Sequence, residues 1–200
     1  ICCEGKTEFG IIRALDDHLQ SKRGFGLAVQ GIVYLNCKGE GASFTIAERL
    51  KDKGFNVCIF ADNDIENLEK KKNYVDAKGV KTVLCDKGKC IEAMLFTYLP
   101  WDAVCDMVQC AEDNKNHQAV FDNIKFRNIE ELKAVTGEEE QKKAREEFST
   151  VSNKGKWYKD IDAGEGVGKI WFDHIGCLDP NSGLRKEYDE LMKWIGNDIN

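Results

Sequence analysis

Phe55-Asn56-Val57-Cys58-Ile59-Phe60-Ala61-Asp62-Asn63-Asp64 is the stretch from which the fold is read. Val57 to Ala61 is apolar at every position, so a strand here has both faces covered, as in the middle of a parallel sheet. Phe55 to Ala61 is the best strand in the chain, and it runs directly into two carboxylates flanking Asn63. Working outward, the same alternation recurs. Ile1 to Cys3 reads as a short strand, followed by a helical pattern with Phe9, Ile12, Leu15 and Leu19 at near-helical spacing. Gly31 to Asn36 reads as a buried strand ended by Gly39 and Gly41, and helix signals from Ser43 to Lys53 stop at Gly54. After Asp64 come a polar helix over about residues 65–78, a strand from Val80 to Cys85, and a helix carrying Glu92 and Leu95. The order βαβαβαβα predicts an α/β core over residues 1–116, with a small parallel sheet flanked by helices. Residues 102–150 are rich in Glu, Lys and Ala, with Gly137 breaking one long helical stretch. Asn153 to Lys169 reads as a Gly/Lys-rich loop. Residues 184–197 form an amphipathic helix with Leu184, Tyr188, Leu191 and Trp194 on one stripe. Residues 117–200 are therefore expected to be a mostly helical C-terminal subdomain.

The composition bounds the function. With 42% apolar and 32% charged residues among 200, a core can be buried and wholesale disorder is excluded. No apolar run approaches the length of a bilayer span, and no membrane role is expected. The net charge of −6 is a poor footprint for non-specific nucleic-acid binding, unless cations held by carboxylates supply positive charge locally. Nine cysteines, scattered without a repeat, read as reduced thiols of a cytoplasmic protein, and no secretory pattern opens the chain. Cys85/Cys90 and Cys105/Cys110 are spaced more loosely than most structural zinc pairs, and no further Cys or His cluster completes a site.

Functional groups of an open parallel sheet gather beyond the carboxyl ends of its strands. Glu4-Gly5-Lys6-Thr7-Glu8 lies at one such place, with Glu8 one helical turn beyond Glu4. Asp62 and Asp64 lie at another, and Glu92 begins the helix after the next strand. Each has a bland reading: a solvated Asp-x-Asp, a first-turn carboxylate favoured by the helix dipole, a helix-start glutamate. Their joint placement carries the chemistry. Five carboxylates in one crevice repel each other unless cations neutralise them, and hard oxygen ligands suit Mg²⁺ or Mn²⁺. Two such ions about 3.5–4 Å apart activate a water and stabilise the leaving oxygen of a phosphodiester.

Glu4-Gly5, the glycine-bearing turn Lys38-Gly39-Glu40-Gly41 and Asp62-Asn63-Asp64 resemble the Toprim domain of topoisomerases, primases and related nucleases. The second acid of Glu4-Gly-Lys-Thr-Glu8, and Glu92 in Lys89-Cys-Ile-Glu92-Ala, look more narrowly like the overcoming-lysogenization-defect (OLD) nucleases, which include the Gabija-type anti-phage enzyme. The resemblance covers roughly residues 1–100. It implies a Toprim/Rossmann-like sheet and DNA cleavage with two divalent ions, Mg²⁺ or Mn²⁺. Glu4, Asp62 and Asp64 would form one metal site, with Glu8 and Glu92 favouring the second. It also implies a lysine near the scissile phosphate, best matched by Lys154 or Lys156 in Asn153-Lys-Gly-Lys-Trp157. Apart from the resemblance, Trp101, Trp157, Trp171 and Trp194 read as packing residues, with stacking on an unpaired base a second reading for Trp157 beside the lysines. An ATPase module in the same chain but outside this segment, homo-oligomers and a helicase partner in antiviral defence are implied as well, and the start at Ile1 fits a fragment. A Toprim domain of primase or topoisomerase type and a non-catalytic binding module remain open alternatives.

Gly164-Glu-Gly-Val-Gly-Lys169 imitates a phosphate loop. It fails the Walker pattern at Ala163, where the first glycine belongs, and at Ile170, where Ser or Thr belongs. Gly5-Lys6-Thr7 is a closer imitation; its leading glycine would precede Ile1 and the segment before it is strand-like, so it stays a minor alternative for a truncated chain.

Overall fold

The computed structural model describes residues 1–39, 41–64 and 67–196. The first half is β1 (Cys2–Cys3), α1 (Lys6–Arg23), β2 (Leu35–Asn36), α2 (Ala42–Asp52), β3 (Cys58–Ala61), α3 (Leu68–Ala77), β4 (Lys81–Leu84) and α4 (Ile91–Tyr98). The βαβαβαβα order is the one read from the sequence. The strands are parallel throughout and lie in the order β2-β1-β3-β4. All four residues of β3 are buried, as its unbroken apolar run requires.

Alternate residues of the strands serve two cores. Cys3, Cys58, Phe60 and Val83 pack with α1 and α4 on one face. Cys2, Ile59 and Ala61 pack with Phe44 and Ala47 of α2 and with Leu68 and Val75 of α3 on the other. Gly31 to Asn36 departs from its reading. Only Leu35–Asn36 forms a strand, at the sheet edge, with Val33 and Leu35 exposed, because β1 is its one neighbour. Phe55 likewise lies outside β3 and is exposed. Glu40, residues 65–66 at the start of the polar helix and residue 197 at the end of the last one lie outside the described residues.

The second half is α5 (Trp101–Lys115), α6 (His117–Phe121), α7 (Ile129–Lys133), α8 (Glu138–Lys154), α9 (Ile161–Asp173) and α10 (Gly183–Trp194). Asn116 and Asn128 cap α6 and α7 with their side chains, so the long helical stretch is broken before Gly137 as well as at it. The largest correction concerns residues 153–169, read as a loop. From Ile161 onward they are α9, started by Asp160, whose carboxylate accepts the Ala163 N–H at 2.8 Å. Its glycines permit close packing. A Cβ on Gly164 would stand 2.5 Å from the Thr7 carbonyl oxygen, and one on Gly10 would stand 2.2 Å from the Ile161 carbonyl oxygen, so α9 lies backbone to backbone against α1. One apolar cluster holds residues from Ile1 to Ile195 and crosses the 116/117 boundary without interruption. No helix among the described residues is long and apolar enough to cross a membrane.

Candidate functional site

In the order β2-β1-β3-β4, the direction in which successive strands are added reverses between β1 and β3, and the crevice beyond their carboxyl ends is where such sheets bind ligands. Glu4 leaves β1 and Asp62 leaves β3 at this point. The Asp62 N–H donates to Glu4 Oε2 at 3.2 Å, so the two acidic clusters of the sequence meet there. Asp62 Oδ1 accepts the Ile91 N–H at 2.7 Å and caps α4, which brings Glu92 in from the next strand's helix. Asn63 fastens this corner, its side-chain amide donating to the Cys85 carbonyl at 2.8 Å.

Glu8 sits in the first turn of α1, and its Oε2 accepts the Gly5 N–H at 2.8 Å. The bland reading of a helix-start carboxylate holds for that oxygen, yet the same side chain lines the crevice. This cleft of about 540 Å³ is bounded by Glu4, Lys6, Glu8, Lys38, Asp62 and Lys159, among others. Glu92 lies behind them, 1% exposed.

The electrostatics match the crowding. Burial, then the charges of Glu8 and Glu92, push the Asp62 carboxyl well above the usual carboxylate range. Burial is also the main cause for Glu8, pushed up to about 7, with Glu92 adding to it. Glu4 is raised by burial and, further off, by Asp64, while the Asp62 N–H opposes the shift. These acids sense one another across three strand ends.

The cation meeting them is Lys159, whose Nζ lies 2.8 Å from Glu92 Oε1. Burial works against its charge, but Glu92, Asp62 and Glu8 together hold its proton more tightly than in a free lysine. Lys154 and Lys156, the lysines chosen from the sequence, are placed elsewhere: Lys154 ends α8, both are exposed, and neither borders the cleft. Trp157 is 1% exposed and offers no ring to a base. Asp64 is exposed on the rim and faces a neighbouring groove, with Asn63, Lys70, Lys72 and Lys87 along it.

The segment bearing Lys159 is fixed from both sides. Tyr158 is fully buried, its hydroxyl donates to the Met107 carbonyl at 2.8 Å, and its own carbonyl accepts the Thr7 hydroxyl at 2.8 Å. Asp160 then caps α9. The signal in the sequence was Asp160 followed by Val167, Ile170 and Trp171 at helical spacing, which starts a helix immediately after Lys159.

The donor set fits a hard divalent cation. Both oxygens of the buried Glu92 lack a well-angled hydrogen bond, and the neighbouring acids are raised first by burial and then by one another's charge. Among the described residues, no three His, Cys, Asp or Glu side chains stand at the spacing of a ready-made ion site. The acids are tied instead to backbone N–H groups and to Lys159. Comparison of the chain with protein-family models, curated proteins and solved structures returns no match.

Proposed function

We propose that this chain is a divalent-metal-dependent endonuclease domain, similar in site and topology to the Toprim nucleases of OLD type, that hydrolyses DNA phosphodiesters. The observation carrying the proposal is the meeting of Glu4, Glu8, Asp62 and Glu92 with Lys159 at the reversal point of the sheet. Glu4 and Asp62 would hold one Mg²⁺ or Mn²⁺ ion, with Asp64 at the rim, and Glu8 and Glu92 would hold the second. An ion held there would supply an activated water and charge to offset that of the leaving oxygen. The chain's own residues do the rest. Lys6 and Lys38 on the cleft border meet the phosphates of the incoming strand, a local basic contribution that the net charge of −6 conceals. Lys159 offers its ammonium to a non-bridging oxygen, where charge grows in the transition state. The Thr7–Tyr158 bond sets the position of Lys159 relative to α1. The ATPase module, the oligomer, the helicase partner and the role in antiviral defence, in the cytoplasm, belong to the same proposal and rest on the resemblance.

The test is nicking of supercoiled plasmid in Mn²⁺. Asp62→Asn and Glu92→Gln should each lower the rate by about 100-fold or more, since each removes a ligand charge from the site. Unchanged nicking in both variants contradicts the proposal. A non-catalytic phosphate-binding module is the second reading, favoured by Lys6, Lys38 and Lys159 on the border of the cleft. That module would bind DNA and show no Mn²⁺-dependent nicking at all.

A further inference from the structure

We propose that Lys159 and a divalent cation are alternative partners of Glu92, so that a cation entering this end of the cleft displaces the Lys159 ammonium toward the opening, where a phosphate arrives. The inference rests on the metal-dependent reading above and adds a control step to it.

A carboxylate as buried as Glu92 needs a cation or a set of hydrogen-bond donors. Glu92 has the cation, Lys159 Nζ at 2.8 Å, and neither oxygen has a well-angled hydrogen bond besides. Each neighbouring acid has one oxygen held by a backbone donor, Glu8 Oε2 by the Gly5 N–H, Asp62 Oδ1 by the Ile91 N–H and Glu4 Oε2 by the Asp62 N–H, whereas Glu92 has the ammonium alone. A doubly charged ion drawn to Glu92 therefore arrives at the position where the ammonium already lies, and like charges at that spacing repel strongly.

Only one of the two can move away cheaply. The backbone on either side of Lys159 is locked by the buried Tyr158 and by the Asp160 cap. The side chain is partly exposed and borders the open cleft, so rotation about its methylene chain carries the charge outward without disturbing the fold. Lys6 and Lys38 lie on the same border, so a displaced Lys159 joins two cations already facing the opening. Loading the metal and presenting the lysine to the phosphate thus become one event.

The experiment uses the whole chain and calorimetric titration with Mn²⁺ alone. Lys159→Met should bind Mn²⁺ about tenfold or more tighter than the unaltered protein, because a competing charge is gone. Lys159→Arg, which keeps the charge, and Lys142→Met, an exposed change on α8, should leave the affinity within about twofold. Equal or weaker binding by Lys159→Met overturns the proposal and leaves the metal site standing. Absence of Mn²⁺ binding in every protein removes the metal reading, and the proposal falls with it. A second measurement needs no variant: acylation of Lys159 by an N-hydroxysuccinimide ester, mapped by mass spectrometry, should rise several-fold when Mg²⁺ saturates the protein. Unchanged or reduced labelling overturns the displacement.

Discussion

Glu187 is 4% exposed on α10, and both of its carboxylate oxygens lack a hydrogen-bond partner. Burial, together with the charges of Asp86 and Glu190, pushes it up to about 8, while the Cys85 thiol beside it opposes the shift. A carboxyl raised in the folded state stabilises the fold below its unfolded value and loses that contribution as pH rises through the folded value. Stability should therefore decline from about pH 4.5 to pH 8, by on the order of 4 kcal/mol for this one group. Glu187→Gln should flatten the decline and raise the midpoint of thermal unfolding at pH 8, measured without divalent cations. An unchanged pH profile would show that Glu187 ionises freely. Single residues were also where the sequence was hardest to read. Strand ends announce the acids at 4, 8, 62 and 92, which the fold brings to one corner, but they do not announce Lys159. Its position depends on Tyr158 and Asp160 fixing its backbone and on α9 packing against α1; the Asp160 cap is visible locally, but the contacts of Tyr158 and the helix pairing are not.

At the level of elements, the pairing of α1 with α9 brings the C-terminal half to the cleft. Arg13 on α1 pairs with Glu165 on α9 at 3.0 Å, and the glycines between the helices let the backbones touch. Gly164→Ala decides whether those glycines are there for contact. In an isolated helix interior the change favours the folded form by about 1 kcal/mol. Here the added methyl meets the Thr7 backbone, so the variant should be less stable by about 1–3 kcal/mol in denaturant unfolding. It should also cleave more slowly, because Thr7 positions the Lys159 segment. A gain in stability would refute the close-packing account. The glycine content that made residues 153–169 read as a loop is the signature of this contact. Composition alone does not separate a glycine needed for a turn from one needed for a neighbour. The short strands were legible for the opposite reason: β3 is buried on both faces and shows it at every position, whereas the edge strand β2 is half exposed and reads more apolar than its surroundings.

Across the whole molecule, sheet and helices share one core. Phe96 of α4 packs against Phe148 of α8, with ring centroids 5.8 Å apart, and against Tyr158, at 6.3 Å. Residues 1–116 expressed alone would leave these faces of α1 and α4 bare, and should show no cooperative thermal transition. A sharp, reversible transition in that fragment would mean that the two halves are independent. The α/β class and the helical character of the second half were legible because periodicity reports them directly. The closure of that second half over the first was not, since it depends on contacts between positions more than a hundred residues apart, such as Thr7 with Tyr158. This closure brings a cation to four acids that the sheet alone would leave facing one another. The most direct measurement is anomalous diffraction from crystals soaked in Mn²⁺. The account predicts manganese peaks in the cleft, ligated by Glu4 and Asp62 and by Glu8 and Glu92, with the Lys159 ammonium withdrawn from Glu92. Manganese bound only at other surface carboxylates, with the Lys159–Glu92 pair intact at saturating Mn²⁺, would contradict it.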